Sequence, residues 1–128
     1  MRTFDWGSRF EREIGYARAV VSGEWIFVSG CTGGDLVTGV MPADVETQCA
    51  NTLATIARAL DEAGAHFSDV VRVRYILPVA ADFELCWPQL RAVFGASPPA
   101  ATMIVAGLID PAMRIEIEVT ARRVVTLV

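Results

Sequence analysis

The chain has 128 residues, 53% of them hydrophobic, with 11 Lys and Arg against 15 Asp and Glu and a formal net charge of −4. That length suits one domain spanning residues 1–128, and no apolar run approaches the roughly 18–20 residues of a membrane span. The acidic balance argues against nucleic acid as the main partner, because phosphate binding calls for a basic surface.

The N-terminal stretch MRTFDWGSRFEREIGY is mixed-charge and aromatic and lacks the apolar core of a signal peptide. Residues 18–22 and 24–29 read as two strands joined by a tight turn at Ser22 and Gly23. The loop SGCTGGDLVTGVMP follows, punctuated by Gly30, Gly33, Gly34 and Gly39; it has no lysine and no prompt helix, so it is no phosphate loop. Over residues 44–63 the period becomes helical, with Val45, Cys49, Leu53, Ile56 and Leu60 on one stripe, acidic residues in the first turn and Gly64 at the end. A strand is predicted over 70–77, a second helix over about 81–94 with Pro88 as an irregularity, and a buried strand over 101–106. The segment 114–123 (RIEIEVTARR) closes the domain as a strand.

Two of these strands carry a two-faced pattern. In 114–120, Ile115, Ile117 and Val119 fall on one side and Arg114, Glu116, Glu118 and Thr120 on the other. In 70–77, Val71, Val73, Tyr75 and Leu77 share one side and Arg72 and Arg74 the other. In one sheet the apolar side needs a cover of helices, which is the α+β arrangement. The charged side is either solvated or lines a cleft. The surplus of apolar residues, with a mean hydropathy of +0.41, points to burial between subunits. Cys31, Cys49 and Cys86 are odd in number and far apart, which reads as reduced thiols in a cytoplasmic protein with no disulfide framework and no metal spacing. Met41, Met103 and Met113 read as packing residues.

The pieces IGYARAV, IFVSG, TGVMPADVETQ, DVVRVRYIL, DFELCW and IEIEVTARR, in that order over residues 14–123, resemble the YjgF/RidA family of reactive-intermediate deaminases, also called endoribonuclease L-PSP-like. The resemblance implies a chorismate-mutase-like fold: a six-stranded mixed sheet with two helices packed on one face. It further implies a homotrimer that holds a small-molecule ligand in clefts between subunits, with no cofactor and no metal. The family's carboxylate-gripping arginine lies in a P-A-R-[ST] segment; here the segment reads Pro99, Ala100, Ala101, Thr102, so Ala101 stands at the arginine's position. Glu118 is matched to the glutamate that positions water, Tyr16 to an aromatic near the start, and Ser29 and Gly30 to the cleft loop. The expected cleft is bounded by Tyr16, Arg18, Ser29, Gly30, Cys31, Thr32, Ala101, Thr102, Met103 and Glu118.

A bidentate guanidinium grip strengthens and orients a carboxylate, and alanine offers nothing in its place. The chain is therefore expected to handle a small C–N metabolite but not as a standard 2-iminoacid deaminase; the alternative is a non-catalytic trimer binding a metabolite or a protein. Glu118 either positions water or pairs with Arg72 or Arg74 across the sheet. Arg18, or Arg72 and Arg74, either supply the lost anion site or are ordinary surface cations. Cys31 is a nucleophile or a small cleft-lining residue; no motif ties it to His66, a turn residue and the sole histidine. A ribonuclease activity fits poorly with an acidic chain that lacks a basic, aromatic-laced stripe.

Overall fold

The computed structural model describes residues 1–124; the last four residues of the domain expected over 1–128 lie outside the described residues. The strands are β1 (Arg2–Phe4), β2 (Ala19–Ser22), β3 (Trp25–Thr32), β4 (Val70–Leu77), β5 (Ala100–Val105) and β6 (Glu116–Arg122), and the helices α1 (Val45–Glu62) and α2 (Asp82–Phe94). They form one six-stranded sheet in the order β1-β2-β3-β6-β4-β5. β4 and β5 run parallel and the other pairs antiparallel, so the sheet is mixed, as expected.

Asp44 caps α1, accepting from the Thr47 amide at 2.8 Å, and Gly64 follows the helix with φ of +76°. The predicted stripe of Val45, Cys49, Leu53, Ile56 and Leu60 is buried against Ile26, Val28, Ile117 and Val119 of the sheet in a single core. The helices therefore take one side of the sheet. The opposite side carries Trp25 and Phe27, 44% and 47% exposed, beside Arg72, Arg74 and Glu118.

Two β-bulges adjust which side chains face the core. Between β3 and β6 the register runs Val28↔Val119 and then Cys31↔Ile117, so Ser29 and Gly30 together oppose Glu118. The extra residue turns Cys31 inward, where it is buried. A second shift between Val70 and Arg72 puts Val70 in the core and leaves Val71 43% exposed. Val71 is thus not on the buried side that unbroken alternation assigned to it. Simple alternation cannot anticipate a bulge, because the bulge is a property of the strand pair.

Candidate functional site

Sequence periodicity gave no element in the N-terminal segment, yet β1 pairs along the free edge of β2, and the residues after it fold across the end of β2 and β3. Glu11 anchors it: its carboxylate accepts from the backbone amides of Trp6 at 3.0 Å and Ser8 at 3.2 Å. Trp6 then reaches α1, donating from Nε1 to Glu62 at 2.8 Å, with the Arg58 guanidinium 4.3 Å from its ring centroid. A one-turn π-helix at Glu11–Gly15 delivers Ile14 and Tyr16.

Beneath this segment lies a cleft of about 710 Å³. Tyr16, Arg18, Gly30, Cys31 and Thr32 line it, so the structure brings together five of the residues singled out from sequence. Arg18 donates through Nη1 to the Gly30 carbonyl at 3.0 Å and approaches Cys31 Sγ at 3.5 Å, and its Nη2 donates to the Tyr16 hydroxyl at 3.3 Å. Trp6, Phe10, Ile14, Leu36, Ile109 and Met113 supply apolar walls that sequence reasoning did not assign; Met113 is a wall of the cleft rather than a core packing residue.

Three carboxylates line this cleft: Glu11 and Asp35 are engaged by backbone amides, and Glu116 is not. Glu118, expected in a cleft between subunits, lies in this chain against Phe27, Arg72 and Arg74 in a separate cavity of about 250 Å³ and forms an ion pair with Arg74, its direct cross-strand neighbour. The two glutamates share one side of β6, so periodicity could not choose between them; strand register does. Glu118 lies across from Arg74, whereas Glu116 lies between Thr32 and Ile76 and meets no cation. Gly30 makes room for it, since a Cβ there would sit 2.8 Å from the Glu116 carboxyl carbon. Among the described residues Glu116 has no hydrogen-bond or ion-pair partner. Burial, and then the nearby Glu118, raise its carboxyl above the ordinary range, against the pull of Arg18.

Cys31 is a poor nucleophile in this setting. Burial pushes its thiol up, with Arg18 opposing and Glu116 reinforcing the shift. Ser29 does not face the cleft: its hydroxyl donates to the Ala17 carbonyl at 2.7 Å, tying β3 to the segment before β2. Ala101, Thr102 and Met103 lie on the edge strand β5, separated from β6 by β4, so a single chain does not bring them to Tyr16. Arg72 donates to Thr102 at 3.0 Å and Arg74 is paired, so neither reaches the cleft. His66 is exposed in the turn after α1.

Two clamps hold the far wall. Fully buried Gln48 donates to the carbonyls of Pro42 at 2.6 Å and Ala112 at 2.9 Å and accepts from the Arg114 amide at 2.8 Å. Arg114 in turn forks onto buried Asp82, with contacts of 2.9–3.1 Å.

Residues 7–123 match the family profile described as Endoribonuclease L-PSP. A Mycobacterium tuberculosis member of the YjgF/YER057c/UK114 family is similar in structure, with a TM-score of 0.85 and 33% identity over 94% of this chain and 98% of that one. A RutC family protein of Pyrococcus abyssi is 32% identical over 83% of this chain and 84% of its own length. A Bos taurus 2-iminobutanoate/2-iminopropanoate deaminase is 29% identical over 83% of this chain and 78% of its own.

Proposed function

The chain belongs to the Endoribonuclease L-PSP family, that of YjgF and RidA, and on that premise we propose that it handles a small metabolite in the Tyr16–Arg18–Glu116 cleft, hydrolysing an imine, enamine or related C–N bond. The observation that carries this reading is Glu116: a partly buried carboxylate with no partner among the described residues, raised above its ordinary range, in the same cleft as a guanidinium and a phenol. A carboxyl raised above its ordinary range takes and returns a proton at a higher pH than an ordinary glutamate does. Glu116 holds a water against the imine carbon and accepts its proton as the C–O bond forms. The nitrogen is then protonated, the C–N bond breaks, ammonia leaves and a carbonyl product remains.

We further propose a homotrimer, with the edge strand β5 of one subunit closing the cleft of the next so that Ala101, Thr102 and Met103 join it. The uncovered sheet face with Trp25 and Phe27 supports this assembly. In such a cleft Ala101 brings no guanidinium, so turnover of 2-iminopropanoate generated in a coupled assay should stay near background. The decisive variant is Glu116→Gln, which keeps the shape and removes the charge. It should abolish whatever hydrolysis the wild type performs on larger imines. Full activity in a folded Glu116→Gln protein would remove Glu116 from the chemistry, whereas a wild type that hydrolyses no imine would leave a non-catalytic binding protein as the better description.

A further inference from the structure

Of the two guanidiniums in the cleft, Arg58 is paired with Glu62, and Arg18 has no carboxylate at contact distance among the described residues. Arg9, Arg58, Arg74, Arg114 and Arg122 each form an ion pair with a carboxylate. Arg18 is half-buried, yet among the described residues no carboxylate lies within ion-pair distance of it. Glu11 is close enough to feel the charge, but its oxygens are engaged by the amides of Trp6 and Ser8. Glu116 also feels it without touching it.

Arg18 nevertheless has a defined orientation. The Gly30 carbonyl, Cys31 Sγ and the Tyr16 hydroxyl engage Nη1 and one side of Nη2. A guanidinium carries five N–H donors in a planar fork. Nε and one Nη2 hydrogen therefore have no protein acceptor among the described residues, which leaves the guanidinium donors for an anion. Burial disfavours the Arg18 charge, but Cys31, Tyr16 and Glu11 outweigh burial, so the guanidinium is held charged with donors free for an anion.

The rest of the cleft indicates what that anion is attached to. Phe10, Ile14, Leu36 and Ile109 are 52%, 69%, 41% and 86% exposed where they line it. Its volume of about 710 Å³ falls in the range of roughly 300–1,000 Å³ that accommodates ligands far larger than a three- or four-carbon acid. We propose that Arg18 is the anion anchor of this cleft, and that the ligand is a carboxylate bearing a bulky apolar group, the carboxylate on Arg18 and the apolar group against Phe10, Ile14, Leu36 and Ile109. Carboxylate recognition then comes from the strand that leads into β2, not from position 101, and it selects large acids over small ones. This inference rests on the same cleft being the ligand site, and it is tested by binding, independently of turnover.

The probes are 4-phenylbutanoate, its neutral isostere 4-phenylbutanamide, and acetate, titrated calorimetrically into the wild type and into Arg18→Met and Arg18→Lys. In the wild type the phenylbutanoate should bind at least about tenfold more tightly than the amide, the difference a charge-assisted fork makes. Acetate should bind more weakly than phenylbutanoate by about tenfold or more, as buried apolar area requires. Arg18→Met should lower phenylbutanoate affinity to the level of the amide, and Arg18→Lys should recover only part of it. Equal binding of acid and amide to the wild type overturns the anchor, as does an Arg18→Met protein that folds and still prefers the acid. Equal binding of acetate and phenylbutanoate overturns the apolar part, and no millimolar binding of any probe overturns the whole. Should Arg18→Met not fold, the acid–amide comparison on the wild type still decides. A hydrolase reading that fails because the wild type turns over no imine leaves the acid–amide difference in place, so the two failures are distinguishable.

Discussion

Glu116 carries a stability penalty from the burial of its carboxyl. Its carboxyl is raised by burial and by Glu118, so the folded state binds that proton more tightly than the unfolded chain does. Its contribution therefore favours folding at low pH, below its unfolded value, and is lost as pH rises through the raised folded value. Glu116→Gln removes that loss. Thermal melts should show the variant above the wild type at about pH 7 and the gap closing toward about pH 4; a gap that is the same at every pH would assign it to something other than this proton. Turnover by the wild type should fall on acidification at a higher pH than an ordinary glutamate would dictate. Gly30 supports the same carboxylate by having no side chain. Gly30→Ala brings a methyl within 2.8 Å of the carboxyl end of a flexible side chain, so the fold should survive in circular dichroism while turnover drops with the displaced glutamate.

At the scale of elements, the cleft is held open by loops tied to α1. Gly33 packs so closely on that helix that a Cβ would lie 2.6 Å from Gln48 Cα. Backbone on both sides leaves no route for relief, and Gly33→Ala should destabilise the protein by about 1–3 kcal/mol in denaturant titration. Gln48 joins the loop before α1 to the loop before β6 through its three hydrogen bonds. Gln48→Leu keeps the volume but leaves two carbonyls and an amide unsatisfied, a loss of about 2–3 kcal/mol. Those loops carry Leu36, Ile109 and Met113, so the same variant should weaken binding of 4-phenylbutanoate. Unchanged stability would mean that the loops are held by other contacts.

At the scale of the whole molecule, one side of the sheet has helices and the other, among the described residues, has none. Trp25 and Phe27 stand exposed beside Arg72 and the Arg74–Glu118 pair. A sheet face that combines exposed aromatics with charges of both signs suits a symmetric assembly of copies of this chain. Small-angle scattering at micromolar concentration should give the mass of three chains, and a monodisperse monomer would rule the trimer out. No helix among the described residues is long and apolar enough to cross a membrane.

The α+β layout and the bounds of the middle elements follow from the residues alone. The 3.6-residue period of α1, the alternation of β6 and the span of β4 are local properties that neighbouring residues already carry. Tertiary structure decided the rest, because it depends on which strand lies beside which. The bulge at Ser29 and Gly30 turned Cys31 inward, and the bulge at Val70 turned Val71 out. Register against β4 gave Glu118 to Arg74 and left Glu116 for the cleft. Trp6, Glu11, Ile14 and Ile109 could not be read as a site, since no period links a chain terminus to a loop about a hundred residues away. They meet only because the N-terminal segment folds across the end of β2 and β3 and is pinned there by Glu11 and Glu62.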